Sequence, residues 1–98
     1  MKLDVLSPEE TIFSGEVSSI SLPGLNGRLQ VLQNHAPIIS ALGAGSVWIE
    51  ATSIEEIHTS LQAQHQNAQE FHFEIKGGVV EMLQNKVVVH HMRSQAGL

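Results

Sequence analysis

The chain has 98 residues, of which 42% are hydrophobic and none is cysteine. This length suits one small domain with a single core, and the lack of cysteine excludes disulfides, thiolate nucleophiles and cysteine-type zinc sites. Ten acidic and five basic residues give a formal net charge of -5, and the five cations are scattered along the sequence. Because nucleic-acid binding needs concentrated positive charge, we expect no nucleic-acid partner.

The sequence contains neither a membrane span nor a signal peptide. No apolar run approaches the ~20 residues that cross a bilayer, and the N-terminus lacks the apolar segment that a signal peptide requires. We therefore expect a soluble, intracellular protein without direct membrane insertion.

Alternation of apolar and polar residues with a period of two predicts short β-strands along most of the chain. Leu3 and Val5 share one face of the first segment, and a second short piece covers residues 11–13. In the next segment the alternation slips by one residue between Val17 and Ile20, which predicts a β-bulge. A concentration of turn-forming residues over 23–27 ends that segment.

Two strand pairings are predicted in the second half of the chain. The alternation over residues 47–51 recurs over residues 71–76, so these two segments are expected to pair. Residues 79–83 and 86–90 are expected to form a hairpin around the two-residue turn Gln84-Asn85. Eight or nine short strands at close spacing indicate a mainly β fold, a sandwich or flattened barrel.

The polar, glutamine-rich stretch from Thr52 to Gln69 departs from this alternation. Ser53 and Glu56 have the spacing of a capping box, and the apolar residues that follow recur at helical spacing. These features predict one short helix over residues 53–66, with a disordered loop as the alternative.

Six histidines raise the question of a metal site, and their spacing argues against one. In the predicted helix, His58 and His65 would lie about 10.5 Å apart along the axis, too far for a compact chelate. His90 and His91 are neighbours in a predicted strand and should point to opposite faces. We interpret the histidines as solvent-facing polar residues and predict no metal site.

The sequence also lacks the motifs that catalysis would require. No serine lies in a nucleophile elbow, and the paired acids Glu9-Glu10 and Glu55-Glu56 are only sequence neighbours. The glycine-rich turns lead into strands, whereas a phosphate cradle leads into a helix N-terminus. The sequence therefore predicts a protein that is not an enzyme and has no cofactor.

Four stretches, in this order, resemble the epsilon subunit family of F-type ATP synthases, called delta in mitochondria. The first joins LDVLSP to IFSGEV, and the second leads from LPG to GRLQVLQNHAP. The third and fourth are IKGGVVEM and NKVVV, which are similar to the closing hairpin of the family.

The resemblance implies a β-sandwich of about ten strands over residues 1–92, with a polar insertion at 52–69 and a short tail at 93–98. It also implies a non-catalytic subunit that couples gamma-subunit rotation to the c ring of a proton-translocating ATP synthase during ATP synthesis. Its expected location is peripheral, in the complex on the cytoplasmic side of the bacterial inner membrane. The 98 residues end where many members of the family continue into a two-helix domain. We therefore do not expect in this chain the ATP binding and the inhibition of ATP hydrolysis that the resemblance associates with those helices.

By position, two segments match the contact regions of the family for the c ring and gamma. They are the turn Asn26-Gly27-Arg28-Leu29 and the corner Asn34-His35-Ala36-Pro37-Ile38. Backbone freedom, rigidity and core packing explain most of the choice of Gly27, Pro37 and Ile38. Turn geometry requires neither Arg28 nor His35, so these two side chains are assigned to the interface.

Two other functions remain as alternatives. One is a free-standing β-sandwich that binds a ligand or a metal through its histidines, which would require a concave pocket and converging imidazoles. The other is a homo-oligomeric scaffold that pairs through edge strands.

Overall fold

The structure is a computed structural model in which residues 1–57 and 70–92 are described. These residues form eight β-strands and no helix. The strands are β1 Lys2–Leu6, β2 Thr11–Gly24, β3 Gly27–Leu32, β4 Ile38–Leu42, β5 Gly45–Ile57, β6 Glu70–Ile75, β7 Gly77–Leu83 and β8 Lys86–Met92. The prediction of a mainly β fold is confirmed.

The strands form one mixed sheet that closes on itself. Its order is β1-β8-β7-β4-β2-β5-β6, with β3 beside β2. Strand β1 pairs with β8 in parallel and with β2 antiparallel, so β1, β8, β7, β4 and β2 form a ring. Closure pairs both edges of these five strands, whereas β3 pairs only with β2 and β6 only with β5 among the described strands, and the result is a flattened barrel.

Strand β2 is continuous where the sequence suggested two strands. Its first half pairs with β1 and its second half with β3. The register against β5 shifts between Val17 and Ser19, so the predicted bulge is confirmed. The expected count of about ten strands is too high for the described residues, because the single strand β2 pairs with both β1 and β3.

The predicted helix over 53–66 is wrong for residues 53–57, which extend strand β5. Ser53, Ile54 and Glu56 pair with Glu16, Gly15 and Ser14 of β2 in an antiparallel ladder. The local capping pattern was overridden because the exposed edge of β2 offers this segment backbone partners that a short isolated helix lacks. The remainder of the predicted helix lies outside the described residues.

Both predicted pairings of the second half are confirmed. Strand β5 pairs with β6, with Val47 opposite Phe73 and Ile49 opposite Phe71. Strands β7 and β8 form the hairpin, in which Gln84 and Asn85 have φ angles of 53° and 61°. Left-handed conformations at both turn positions match the right-handed twist of the strands.

The core fills the space inside the closed sheet with side chains from all eight strands. The rings of Phe13 and Phe71 lie in it with centroids 6.0 Å apart, and Leu3 and Val5 are also fully buried. Other fully buried side chains include Val17, Ile20, Leu22, Val31, Val47, Val80, Met82, Val87 and Val89. Burial of this apolar surface is the main stabilising contribution to the fold.

Candidate subunit interface

The predicted turn connects β2 to β3, and Gly24 and Gly27 face each other across it. Gly27 has a φ angle of 123°, a conformation that side-chain-bearing residues rarely adopt. Asn26 is exposed, whereas Leu29 is half-buried and packs against the core. Of the four predicted residues, Asn26 and Arg28 therefore carry side chains that are exposed to solvent.

Arg28 is held in place by contacts within the domain. Its guanidinium donates to the carbonyl oxygen of Ser46 at 2.6 Å and to the hydroxyl of Ser21 at 2.8 Å. The side chain thus lies across β2 and reaches the start of β5. Sequence reasoning found no structural reason for Arg28, and these two bonds supply one, although the side chain stays exposed.

The predicted corner connects β3 to β4. Its turn is closed by a bond from the His35 backbone N–H to the Leu32 carbonyl oxygen at 3.2 Å. The imidazole Nδ1 of His35 lies 2.7 Å from the Ala36 carbonyl oxygen. Because a carbonyl can only accept, Nδ1 carries the hydrogen, and Nε2 is left as an acceptor in the neutral ring.

The corner also contains the start of β4, where burial alternates. Ile38 is half-buried and packs against the core, while Ile39 is 77% exposed. Ile39 was missed by sequence reasoning, although the alternation could have found it. With Leu42 in the core, positions 38 and 40 face inward and position 39 faces solvent.

Exposed apolar side chains continue from the corner onto the outer face of β7. Leu83 is 61% exposed, and Val79 also faces solvent. A groove of about 430 Å³ runs between the two strands, and it is lined by Pro37, Ile38, Ile39, Glu81, Met82 and Leu83. We call the exposed residues Pro37, Ile39, Val79 and Leu83 the apolar face.

The structure keeps the turn and the corner apart. Strand β3 runs from the turn at Gly27 to the corner after Leu32, so its six residues separate them by about 17 Å. The two regions therefore lie at opposite ends of strand β3.

The histidines in the described part of the chain do not form a common cluster. Within residues 1–57 and 70–92, no three metal-ligating side chains converge. His90 is exposed, but His91 is only 5% exposed and packs against Phe73 with ring centroids 5.7 Å apart. The interpretation that the histidines face solvent is therefore wrong for His91, which the alternation of β8 turns inward. His58 and His65 lie outside the described residues.

One ion pair links the ends of the chain's first and fifth strands. The Lys2 ammonium donates to the Glu55 carboxylate at 2.6 Å, and this bond raises the pKa of Lys2. The Lys2–Glu55 pair forms because β5 continues past residue 52 along β2. A helix over residues 53–57 would have prevented this contact. Across the described part of the chain, no helix has the length and hydrophobicity that crossing a membrane requires.

Comparison with known families assigns the fold. The profile of the "ATP synthase, Delta/Epsilon chain, beta-sandwich domain" family matches residues 1–93. The chain belongs to this family. An epsilon chain is a non-catalytic accessory subunit of the ATP synthase.

Bacterial members of the family are similar over most of the chain. The ATP synthase epsilon chain of Chlorobium limicola is 34% identical over 90% of this chain and 84% of its own length. That of Chlorobaculum tepidum is 36% identical over 89% of this chain and 83% of its own. The epsilon chain of Janthinobacterium is 37% identical over 91% of this chain, which spans 54% of that protein.

Two solved structures share the fold. A chain of the Tetrahymena thermophila mitochondrial ATP synthase, from a structure of the central stalk and c ring, superposes with a TM-score of 0.67 at 19% identity. A chain from the Euglena gracilis mitochondrial ATP synthase superposes with a TM-score of 0.71 at 18% identity. This chain spans 63% and 49% of the two, and they cover 94% and 93% of it.

Proposed function

We propose that the chain is a central-stalk subunit of a proton-translocating F-type ATP synthase, in which it couples gamma rotation to the c ring during ATP synthesis. Residues 1–92 form the domain that binds. The complex holds it peripherally on the cytoplasmic side of the bacterial inner membrane. Family membership and the bacterial epsilon chains support this function.

The observation that carries the proposal is the apolar face beside the corner. Ile39 and Leu83 are among the most exposed large apolar side chains of the domain, and they flank one groove. Apolar residues grouped on a soluble protein favour a partner that removes them from water. We assign this face and the corner to the gamma subunit, and the turn that carries Arg28 to the polar loops of the c ring.

The experiment is titration calorimetry of the purified chain with the gamma subunit from the same source. We expect one-to-one binding that Ile39→Asp weakens at least about tenfold, since burial of an isoleucine contributes about 1.5–3 kcal/mol. Ile54→Asp is the matched control, because it places the same charge at an exposed apolar residue of β5 outside both regions. Thermal melting of both variants shows whether the fold is kept.

His35→Ala and Arg28→Glu separate the two predicted regions in the same assay. We expect His35→Ala to weaken gamma binding and Arg28→Glu to weaken capture of the chain by the c ring in detergent. Ser21→Ala is the control for Arg28, because it removes one internal hydrogen bond and keeps the positive charge. Failure of the unaltered chain to bind gamma, or equal binding by Ile39→Asp, would contradict the proposal.

A further inference from the structure

Asn34 and Asn85 are joined by two reciprocal hydrogen bonds across 51 residues of sequence. The backbone N–H of Asn34 donates to the Asn85 side-chain oxygen at 2.7 Å. The Asn85 side-chain nitrogen in turn donates to the Asn34 side-chain oxygen at 3.0 Å. A backbone N–H can only donate, so the orientation of the Asn85 amide follows from the first bond. The pair connects the corner to the β7–β8 turn.

Both asparagines adopt left-handed backbone conformations, with φ angles of 63° at Asn34 and 61° at Asn85. Asparagine tolerates this conformation better than most residues, and glycine tolerates it best. Asn85 is anchored on its other side as well, because its carbonyl oxygen accepts from the Lys2 backbone N–H at 3.0 Å. The Asn85 side chain therefore ties the corner to the β7–β8 turn, and the Asn85 backbone ties that turn to the start of β1.

We propose that Asn85 is a positioning residue, which through Asn34 holds His35 and Pro37 in the orientation that receives the gamma subunit. The inference rests on the proposed function. The sequence indicated Asn85 only as a turn residue and gave it no role in the interface. Corner and turn border an open surface depression of about 550 Å³, whose lining includes His35, Pro37 and Leu83. Without the pair, the corner would have to be ordered at the moment of binding, and ordering a loop weakens affinity.

The test compares glycine substitutions at the two positions of the same turn. Asn85→Gly keeps the left-handed backbone and removes the pair, while Gln84→Gly removes an exposed side chain that is not a member of it. The first readout is hydrogen exchange of the Asn34 amide in the free protein, followed by NMR. We expect about tenfold faster exchange in Asn85→Gly and no change in Gln84→Gly, because an amide without its acceptor opens to water.

The second readout is the affinity for gamma. We expect Asn85→Gly to bind about three to ten times more weakly than Gln84→Gly, the range that one net hydrogen bond provides. Asn34→Gly removes only the bond to its own side-chain oxygen and keeps the backbone N–H that donates to Asn85, so its loss should be smaller. The double variant should be no weaker than Asn85→Gly, because that change alone removes both bonds.

Three results would overturn the inference. An unchanged Asn34 exchange rate in Asn85→Gly would mean that the pair does not hold the corner. Faster exchange with gamma affinity within twofold of Gln84→Gly would mean that the pair does not position the surface. If the unaltered chain does not bind gamma, both the proposed function and this inference fail. The first two results would overturn only this inference.

Discussion

Replacing Gly78 with alanine should destabilise the domain far more than the same change at Gly77. The two glycines open β7 and have φ angles of 152° and 157°, so an alanine bears similar backbone strain at either position, about 1–3 kcal/mol. They differ in what a β-carbon would contact. At Gly77 the nearest atom is the Leu42 carbonyl oxygen at 3.4 Å, whereas at Gly78 the β-carbon would overlap the carbonyl oxygen of His90.

The overlap at Gly78 cannot be relieved by a side chain, because the opposing atoms belong to the backbone of β8. Gly78 pairs with His91 on one side and with Leu42 on the other, so the strand has no free direction of movement. Forcing atoms into a packed site costs about 1–3 kcal/mol more. The expected loss is therefore about 2–6 kcal/mol for Gly78→Ala and about 1–3 kcal/mol for Gly77→Ala.

Urea denaturation followed by far-ultraviolet circular dichroism measures both variants against the unaltered chain. With an m-value of about 2 kcal/mol per M, each 2 kcal/mol lowers the midpoint by about 1 M. Since small domains have a total stability of about 5–15 kcal/mol, Gly78→Ala should lose a large share of it. Equal midpoints for the two variants, or a loss below about 1 kcal/mol in Gly78→Ala, would refute the steric argument.

Two further predictions concern the core and the Lys2–Glu55 pair. Phe13→Ala should lower the free energy of unfolding by about 3–5 kcal/mol in urea denaturation, because the ring is fully buried against Phe71; a loss under 1 kcal/mol would contradict this packing. The bond to Glu55 raises the pKa of Lys2 in the folded state above its value in the unfolded chain. The pair therefore contributes its full stabilisation at pH values below the pKa of Lys2 in the unfolded chain, and this contribution is lost as the pH rises through the pKa of Lys2 in the folded state. The stability difference between the unaltered chain and Glu55→Gln should therefore vanish in strongly alkaline denaturation experiments, and a constant difference would count against the pair.

Strand positions were predictable where the local sequence pattern favours the same conformation as the pairing with a neighbouring strand. The turn at Gln84-Asn85 was predicted because its flanking residues alternate and asparagine accepts a left-handed backbone, and the structure has both features. The bulge near Val17 was visible as a slip in the same alternation. The extension of β5 through Ile57 was not predictable, since its partners, the edge of β2 and the side chain of Lys2, are distant in sequence.

The candidate interface was predictable by position but not by side-chain role. Family resemblance selected Ile38, yet the alternation of β4 turns that residue towards the core and its neighbour Ile39 towards solvent. Arg28 was assigned to a partner, and its bonds to Ser21 and Ser46 appear only when β2, β3 and β5 lie side by side. Asn85 was predicted as a turn residue, and its link to Asn34 spans 51 residues that no local pattern connects.

The amino-acid sequence by itself determined the family, the β class and the places where the chain turns, because these depend on short-range patterns of hydrophobicity and backbone preference. The tertiary structure alone decided that residues 53–57 lie beside β2 and that the corner is tied to the β7–β8 turn. Such contacts join residues far apart in sequence, and their free energy is gained only when the whole sheet closes.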